Sequence, residues 1–168
     1  MEFLELAQKR FSCRKFTEEK VEDEKLDKII KAAILAPTAV NKQPFFIWKI
    51  ESEEAVEKLK DCTRFHFDAR TFLVFGAKQE EAWIRKYDDR NFSDVDASIA
   101  ATHAMLEVED LGLGTTWVGH FDAIKLKSYF PEMKEFDLIA IFPIGYPAEE
   151  AHPRHGDRKE RAALVKSL

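Results

Sequence analysis

The chain has 168 residues, a formal net charge of -5 and 14 phenylalanines. This length fits one domain with a substantial core, and the negative charge argues against nucleic acid as a partner. No apolar run approaches the ~18 residues that a membrane span needs, and no signal-peptide pattern opens the chain. The two cysteines, Cys13 and Cys62, are too few for a disulfide framework. We therefore expect one cytoplasmic domain covering residues 1–168, without a membrane partner.

Hydrophobic periodicity predicts alternating helices and strands. The clearest helix has apolar residues at positions 26, 29, 30, 33 and 34, with three acidic residues before it, where the helix dipole favours them. Helices are predicted at 3–7, 26–34, 53–61, 94–111, 123–129 and 162–165, and strands at 45–50, 72–77, 115–118 and 138–144. Such alternation predicts a central sheet covered by helices on both faces.

The segment from Arg10 to Phe16 follows the first helix and carries a candidate anion site. In an extended segment, Arg10, Ser12 and Arg14 project to one side and Phe11 and Cys13 to the other. Guanidinium groups form charge-assisted, bidentate bonds to phosphate or carboxylate. The alternative is an exposed basic patch at the end of a helix, where cations are favoured in any case.

A polar turn at 37–44 leads directly into the strand at 45–50. Pro37 ends the preceding helix, and we expect Pro44 to hold Gln43 extended. Thr38 and Asn41 lie between them, and the amides of Asn41 and Gln43 each offer a donor and an acceptor. These groups suit the edge of a planar heterocycle, and the alternative is a solvated loop.

The stretch from 94 to 119 combines a helix of small residues with a short strand. Small residues occupy nearly every face of the helix, which predicts burial on most sides, and Gly112 is expected to end it. Gly119 closes the following strand, where a backbone N–H can approach a ligand closely. His103 has no second His or Cys at ligand spacing, so we interpret it as a packed or interface histidine and predict no metal site.

Five motifs occur in an order and spacing that resemble the FMN-dependent nitroreductase family. They extend over most of the chain, from about residue 3 to about residue 160. The motifs are Arg10-x-Ser12-x-Arg14-x-Phe16, the Ala36 to Pro44 turn, Asp96-Ala97, Leu111-Gly112-Leu113-Gly114-Thr115-x-Trp117-Val118-Gly119, and Ile144-Gly145-Tyr146-Pro147. Each motif is weak alone, and their common order is what makes the signal specific.

The resemblance implies an α+β fold, an α/β/α three-layer sandwich with a mixed, mainly antiparallel central sheet. It also implies FMN as cofactor, NADH or NADPH as electron donor, and a homodimer with FMN at the subunit interface. The C-terminal tail is expected to reach the partner subunit.

The resemblance further implies the residues that bind FMN. Arg10 and Ser12 look like ligands of the phosphate and ribityl chain, with Phe11 and Cys13 in the same segment, and Arg14 looks like the cation that tunes the flavin beside its pyrimidine edge. In the family, one segment reaches FMN from the partner subunit. The residues that look like this segment here are Pro37, Thr38, Ala39, Asn41 and Gln43. The backbone of Trp117, Val118 and Gly119 is expected to lie against the flavin ring. Arg158 is favoured over Arg154 and Lys159 for a further phosphate contact.

No side chain is predicted to be catalytic, because the redox chemistry belongs to the cofactor. The expected activity is ping-pong reduction of a nitroaromatic, a quinone or a related small acceptor through the flavin N5. The alternative is a flavin carrier or sensor without nicotinamide turnover. The acceptor and the choice between NADH and NADPH stay open. The aromatic residues at 64–67 and 78–93 are predicted either to cover the flavin or to form a dimer core.

Overall fold

The computed structural model describes residues 2–168 and contains helices on both sides of a sheet. The helices are α1 (Phe3–Lys9), α2 (Asp23–Ile34), α3 (Glu53–Lys60), α4 (Ser93–Asp110), α5 (Ala123–Tyr129) and α6 (Arg161–Leu164). The strands are β1 (Phe45–Ile50), β2 (Thr71–Ala77), β3 (Ile84–Arg85), β4 (Arg90–Asn91), β5 (Gly114–Thr115) and β6 (Asp137–Gly145).

The central sheet has the strand order β1-β2-β6-β5, and each neighbouring pair is antiparallel. One parallel bridge between Ser12 and Thr115 extends it beyond β5. The strands β3 and β4 form a separate hairpin. The predicted mixed, mainly antiparallel sheet is therefore confirmed.

Helices cover both faces of this sheet. On one face α2 and α4 bury Leu26, Ile29 and Ala104 against Phe75 and Phe142 of the strands. On the other face α3 and α5 pack against the opposite side chains of the same strands, in a cluster formed by Val56, Leu59, Leu126, Phe72, Val74 and Ile141. Because strand side chains alternate between faces, β2 and β6 contribute to both cores, and the three-layer α/β/α sandwich is confirmed.

The strand predicted at 115–118 is shorter in the structure. Regular pairing stops at Thr115, and Val118 joins Ile141 of β6 through an isolated bridge. Both pairs share one antiparallel register, so residues 116 and 117 interrupt the ladder without shifting it. The hairpin β3-β4 was not predicted, because strands of two residues are too short to show an alternating pattern.

The helix α4 is buried on one face and open on another, which corrects the expectation of burial on most sides. Ala97, Ala100, Ala101 and Ala104 are fully buried against α2 and the sheet. The opposite side, including the half-buried His103, lines an open groove. Small residues allow close approach on the sheet side, and composition alone did not reveal the open side. Within residues 2–168, no helix combines the length and apolar character needed to cross a membrane.

Candidate functional site

The segment from Arg10 to Phe16 is held against the sheet by backbone hydrogen bonds. The N–H of Cys13 donates to the carbonyl of Thr115 at 2.9 Å, and the N–H of Thr17 donates to the carbonyl of Tyr146 at 2.9 Å. A Cβ added to Gly114 would come within 2.8 Å of the Cβ of Cys13, so the segment lies where only glycine allows it. The Gly-Leu-Gly motif and the Arg-x-Ser-x-Arg motif are therefore packed on each other.

Side chains along this segment alternate as predicted at three positions. Cys13 is fully buried, whereas Ser12 and Arg14 face outward, and burial raises the pKa of the Cys13 thiol. Phe11 differs, because its ring lies edge-on to His155 with centroids 6.5 Å apart and it lines the same cavity as Arg10. The bridge to the sheet begins at Ser12, so strand alternation does not extend back to Phe11.

The arginine cavity, as we name it, is an open pocket of about 320 Å³ between this segment and the C-terminal tail. Its lining combines guanidinium, imidazole and hydroxyl groups from both segments. These residues are Arg10, Phe11, Ser12, Arg14, His152, Arg154, His155 and Arg158. The structure thus brings together the two predicted sources of phosphate ligands. Arg154 and Arg158 both line the cavity, and Lys159 is not among its lining residues.

The electrostatics of the arginine cavity favour an anion. Burial and the nearby guanidinium of Arg158 lower the pKa of Arg10, while the carboxylate of Glu109 acts in the opposite direction. Like charges held together destabilise one another, and a phosphate bound between them would relieve that repulsion. Arginine nonetheless stays protonated at neutral pH.

Two histidines of the cavity were missed by the sequence reasoning. The carbonyl of Gln8 accepts a hydrogen bond of 2.8 Å from His155 Nε2, which therefore carries a proton. His152 Nδ1 accepts the N–H of Arg154 at 3.1 Å, so a neutral His152 ring keeps its proton on Nε2 as a donor. The run His-Pro-Arg-His at 152–155 was the available signal, because it places both imidazoles beside Arg154.

A second pocket, the aromatic cavity, adjoins the first and has a volume of about 220 Å³. Its lining is mainly aromatic side chains and backbone: Arg14, Phe65, Phe67, Thr116, Trp117, Val118, Gly119 and His120. Arg14 lines both cavities, and its Nη1 donates to the carbonyl of Ser12 at 2.9 Å. An extended ligand with an anionic end and a planar end would therefore pass Arg14.

The backbone groups of residues 117–119 are not equally free to contact a ligand. The N–H of Val118 donates to the carbonyl of Ile141 and the N–H of Ile141 donates to the carbonyl of Val118, both at 3.0 Å, so Val118 is occupied. Trp117 packs its ring against the buried Phe142, with centroids 5.3 Å apart. At Gly119 an added Cβ would meet nothing within 4 Å. Gly119 thus presents its backbone to open space.

We expect Gly119→Val to separate ligand binding from folding. The fold has room for the new side chain, so the melting temperature of the apoprotein should not change. A flat ring lying on this backbone would be displaced, and FMN affinity should fall by about tenfold or more, equivalent to about 1.4 kcal/mol. Fluorescence titration with FMN and thermal denaturation of the apoprotein measure the two effects. Gly119→Ala should show a smaller loss, and equal FMN affinity in all three proteins would contradict the prediction.

The turn at 37–43 is built on left-handed backbone. Val40, Asn41 and Gln43 have φ values of 54°, 55° and 51°, so the expectation that Pro44 holds Gln43 extended is wrong. The turn is closed instead by its own side chains, because Thr38 Oγ1 accepts the N–H of Gln43 at 3.0 Å. Asn41 is exposed, and its side-chain amide makes no hydrogen bond to the described residues. A left-handed β-branched Val40 is strained, and such strain is common at binding sites.

The turn and the arginine cavity lie at opposite ends of α4. The N–H of Ala39 donates at 2.9 Å to Oδ1 of the buried Asp96, in the first turn of α4. Glu109, in the last turn, is close enough to Arg10 for their charges to interact. Glu109 lies thirteen positions after Asp96 in the helix, a rise of about 20 Å. None of the described residues 37–43 lines either cavity.

The aromatic residues of the 78–93 stretch also lie away from both cavities. Trp83 and Phe92 pack edge-on at 5.0 Å, and Tyr87 is 98% exposed at the tip of the hairpin. Lys42 Nζ reaches the carbonyl of Ala82 at 3.5 Å, which places the hairpin beside the turn at 37–43. Of the candidates to cover a ligand within one chain, only Phe65 and Phe67 line the aromatic cavity.

The fold and the two cavities define a protein suited to hold a phosphate-bearing planar ligand. The sequence profile of the Nitroreductase family matches residues 7–64 and 60–146. The chain therefore belongs to the nitroreductase family, and the resemblance inferred from its motifs is confirmed.

Individual relatives agree with this membership. The structure of a nitroreductase family protein from Clostridium difficile 630 has 32% sequence identity and a TM-score of 0.92, covering 99% of this chain and 98% of that one. An FMN-dependent nitroreductase from C. difficile R20291 has 25% identity and a TM-score of 0.80, covering 98% of each chain. A Bacillus subtilis protein named FMN reductase (NAD(P)H) has 32% identity, in a match that covers 83% of this chain and 64% of that protein.

Proposed function

We propose that this protein is an FMN-dependent NAD(P)H oxidoreductase that reduces small electrophilic acceptors such as nitroaromatics or quinones. The observation that carries the proposal is the junction of the arginine cavity and the aromatic cavity at Arg14. A phosphate in the first cavity and a flavin ring against Gly119 in the second would be connected past this side chain. The names of the similar FMN reductase and FMN-dependent nitroreductase support the choice of cofactor and reaction.

The residues of the site divide into three roles under this proposal. Arg10, Ser12 and Arg158 bind the phosphate, with neutral His152 as a further donor. Arg14, which lines both cavities, would lie beside the pyrimidine edge of the ring, where reduction places negative charge. Bound FMN would supply the redox chemistry, which is hydride uptake from NAD(P)H and electron transfer to the acceptor. The chain would hold the ring against the backbone of Gly119 in the aromatic cavity.

Anaerobic reduction tests this function directly. The purified protein, reconstituted with FMN, is mixed with NADH or NADPH in the absence of oxygen. Bleaching of the flavin absorbance, followed by its return on addition of a quinone, is the expected result. If neither nicotinamide bleaches a fully loaded protein, the alternative of a flavin carrier or sensor is favoured. The nicotinamide that bleaches the flavin faster is the preferred electron donor.

We expect Arg14→Gln to lower the reduction potential of bound FMN. The reduced flavin carries more negative charge than the oxidised ring, so loss of a nearby cation destabilises the reduced form more. A difference of about 1.4 kcal/mol corresponds to about 30 mV for a two-electron couple. Anaerobic titration against a reference dye measures the potential. Lys15→Gln is the matched control, because Lys15 is an exposed neighbouring cation outside the lining of both cavities. Equal potentials for Arg14→Gln and wild type would show that Arg14 does not tune the flavin.

We further propose that the active unit is a homodimer. Support comes from the apolar groove, a depression of about 900 Å³ along the open side of α4 and α1 that is lined in part by Phe3, Leu6, Ile99, His103 and Leu106. An apolar groove of this size is typical of an interface, and a two-fold axis would place the same groove of a second copy against it.

A two-fold contact along α4 would also complete the flavin site. Two copies of α4 packed antiparallel bring the first turn of one helix near the last turn of the other. The turn at 37–43, attached to Asp96, would then approach the partner's arginine cavity near Glu109. Each flavin site would contain residues 10–14 of one chain and residues 37–43 of the other. The hairpin β3-β4 would accompany the turn, so its aromatic residues can serve as cover or as interface.

The end of the C-terminal tail has little contact with its own protomer. Residues 159–168 are all exposed, including apolar Leu164 and Val165. Nearer the sheet the tail is held, because the N–H of Ala148 donates to the carbonyl of Lys15 at 2.8 Å. We propose that the exposed end packs on the surface of the partner subunit, where its apolar side chains can be buried.

A further inference from the structure

The aromatic cavity contains a histidine that the proposed binding of FMN does not use. His120 lies at its edge, exposed to solvent in the protomer, with its ring edge-on to Phe65 at a centroid distance of 5.4 Å and an interplanar angle of 77°. It directly follows Gly119, whose backbone is the proposed support of the flavin ring. A side chain at this position is next to any acceptor that reaches the ring.

Hydrogen bonds hold the backbone that carries His120. The buried Thr63 donates its hydroxyl hydrogen to the carbonyl of His120 at 2.7 Å, and its Oγ1 accepts the N–H of Phe65 at 3.1 Å. The N–H of Asp122 donates to the carbonyl of Cys62 at 2.9 Å. The two walls of the cavity are therefore joined by bonds that do not involve the imidazole of His120. Replacing the imidazole leaves these bonds in place.

The chemistry of the acceptor requires a proton at this location. A quinone that takes a hydride still needs one proton to become a hydroquinone. Among the side chains that line the aromatic cavity in the described part of the chain, Arg14 stays protonated and the threonine and tryptophan hold their protons tightly. Imidazole is the group that releases and regains a proton near neutral pH.

We propose that His120 is the proton donor to the acceptor, a further catalytic residue that rests on the proposed oxidoreductase function. One oxygen of a bound quinone takes hydrogen and the electron pair from the reduced flavin. The N–H bond of the His120 imidazolium breaks, and the proton forms an O–H bond at the other oxygen. The quinone is reduced to the hydroquinone, the flavin is oxidised, and solvent returns a proton to the exposed imidazole.

The decisive experiment compares acceptors that do and do not need a proton. Reduced holoenzyme, prepared with dithionite, is mixed in a stopped-flow instrument with 1,4-benzoquinone or with ferricyanide, which takes electrons alone. In His120→Gln, an amide that can donate a hydrogen bond but not a proton, oxidation by benzoquinone should slow by about 100-fold. Oxidation by ferricyanide should match wild type. Equal slowing with both acceptors, or no slowing with benzoquinone, would overturn the proposal.

The pH profile gives a second, independent criterion. The wild-type rate with benzoquinone should fall as pH rises, because a neutral imidazole is a weaker proton donor than an imidazolium, and the His120→Gln rate should not show this step. The charged groups around the ring are Arg14 in the cavity, Arg64 over the Phe65 ring, and Asp122, whose Oδ1 caps α5. A step that persists in His120→Gln would assign the titration to another group and exclude His120.

A binding measurement tests the location without turnover. In the oxidised holoenzyme, the ring proton resonance of His120, assigned by its loss in His120→Gln, should shift on titration with benzoate. No shift at saturating benzoate would show that His120 does not face an aromatic ligand. Failure of the proposed function would give a different result. In that case the wild-type protein would not retain FMN, or NAD(P)H would not bleach the absorbance of its flavin.

Discussion

Arg10→Ala is expected to raise the dissociation constant of FMN by about 10- to 100-fold, because a charge-assisted hydrogen bond contributes about 1.5–3 kcal/mol. Arg10 is half-buried in the arginine cavity, and the lowered pKa of its guanidinium reflects burial and the charge of Arg158. Removing one of two repelling cations should not destabilise the apoprotein. Ser12→Ala should weaken binding in the same direction. Fluorescence titration with FMN measures affinity, and thermal denaturation of the apoprotein reports the fold.

Lys9→Ala is the matched control for Arg10→Ala. Lys9 is the exposed neighbouring cation, and it does not line the arginine cavity. If binding depends only on the general positive field, both variants should lose similar affinity. A specific site predicts a loss at Arg10 and little change at Lys9. Unchanged FMN affinity in both Arg10→Ala and Ser12→Ala would remove this segment from the binding site.

Mixed dimers of Arg10→Ala and Asn41→Ala chains are expected to recover about half of the wild-type FMN sites. In the proposed homodimer, Arg10 and Asn41 of one site belong to different chains. A mixed dimer then contains one site with both lesions and one site with neither, whereas each variant homodimer is damaged at both sites. Two different affinity tags isolate the mixed dimer, and FMN per dimer is measured after gel filtration.

A second mixed dimer provides the control for this experiment. Arg10 and Ser12 come from the same chain, so a dimer of Arg10→Ala with Ser12→Ala has one lesion in each site. It should show no recovery. Three results would argue against a shared site. The first mixed dimer could fail to recover FMN binding, both mixed dimers could recover it equally, or light scattering could show a strictly monomeric holoprotein.

Local patterns in the sequence predicted most of the secondary structure. The strand β1 and the helix α5 have the predicted bounds, and the other predicted helices differ by a few residues at their ends. These elements follow from hydrophobic periodicity, acidic first turns and Gly112, which has a φ of 72° as expected for the residue that ends α4. The failures lie where local signals are weak. They are the hairpin β3-β4, the conformation of Gln43, the end of the strand predicted at 115–118 and the open side of α4.

The site motifs were recognisable because each is short and continuous in the chain. Residue type and spacing made Arg10, Ser12 and Arg14 a candidate anion site with an exposed basic patch as the alternative, and the family resemblance then favoured the anion site. The sequence analysis missed His152 and His155, although the run His-Pro-Arg-His at 152–155 places both imidazoles beside Arg154. The resemblance favoured Arg158 over Arg154 for the phosphate contact, and the structure has both in the arginine cavity.

By itself, the sequence determined the alternation of helices and strands, the candidate anion-binding segment and the resemblance to the nitroreductase family. Only the tertiary structure decided that residues 10–14 meet residues 152–158, and that Arg14 joins the two cavities. It also decided that the turn at 37–43 and the arginine cavity lie at opposite ends of α4, about 20 Å apart along the helix. The physical reason is that periodicity reports which face of an element is buried, whereas the meeting of distant segments depends on how the sheet and helices pack.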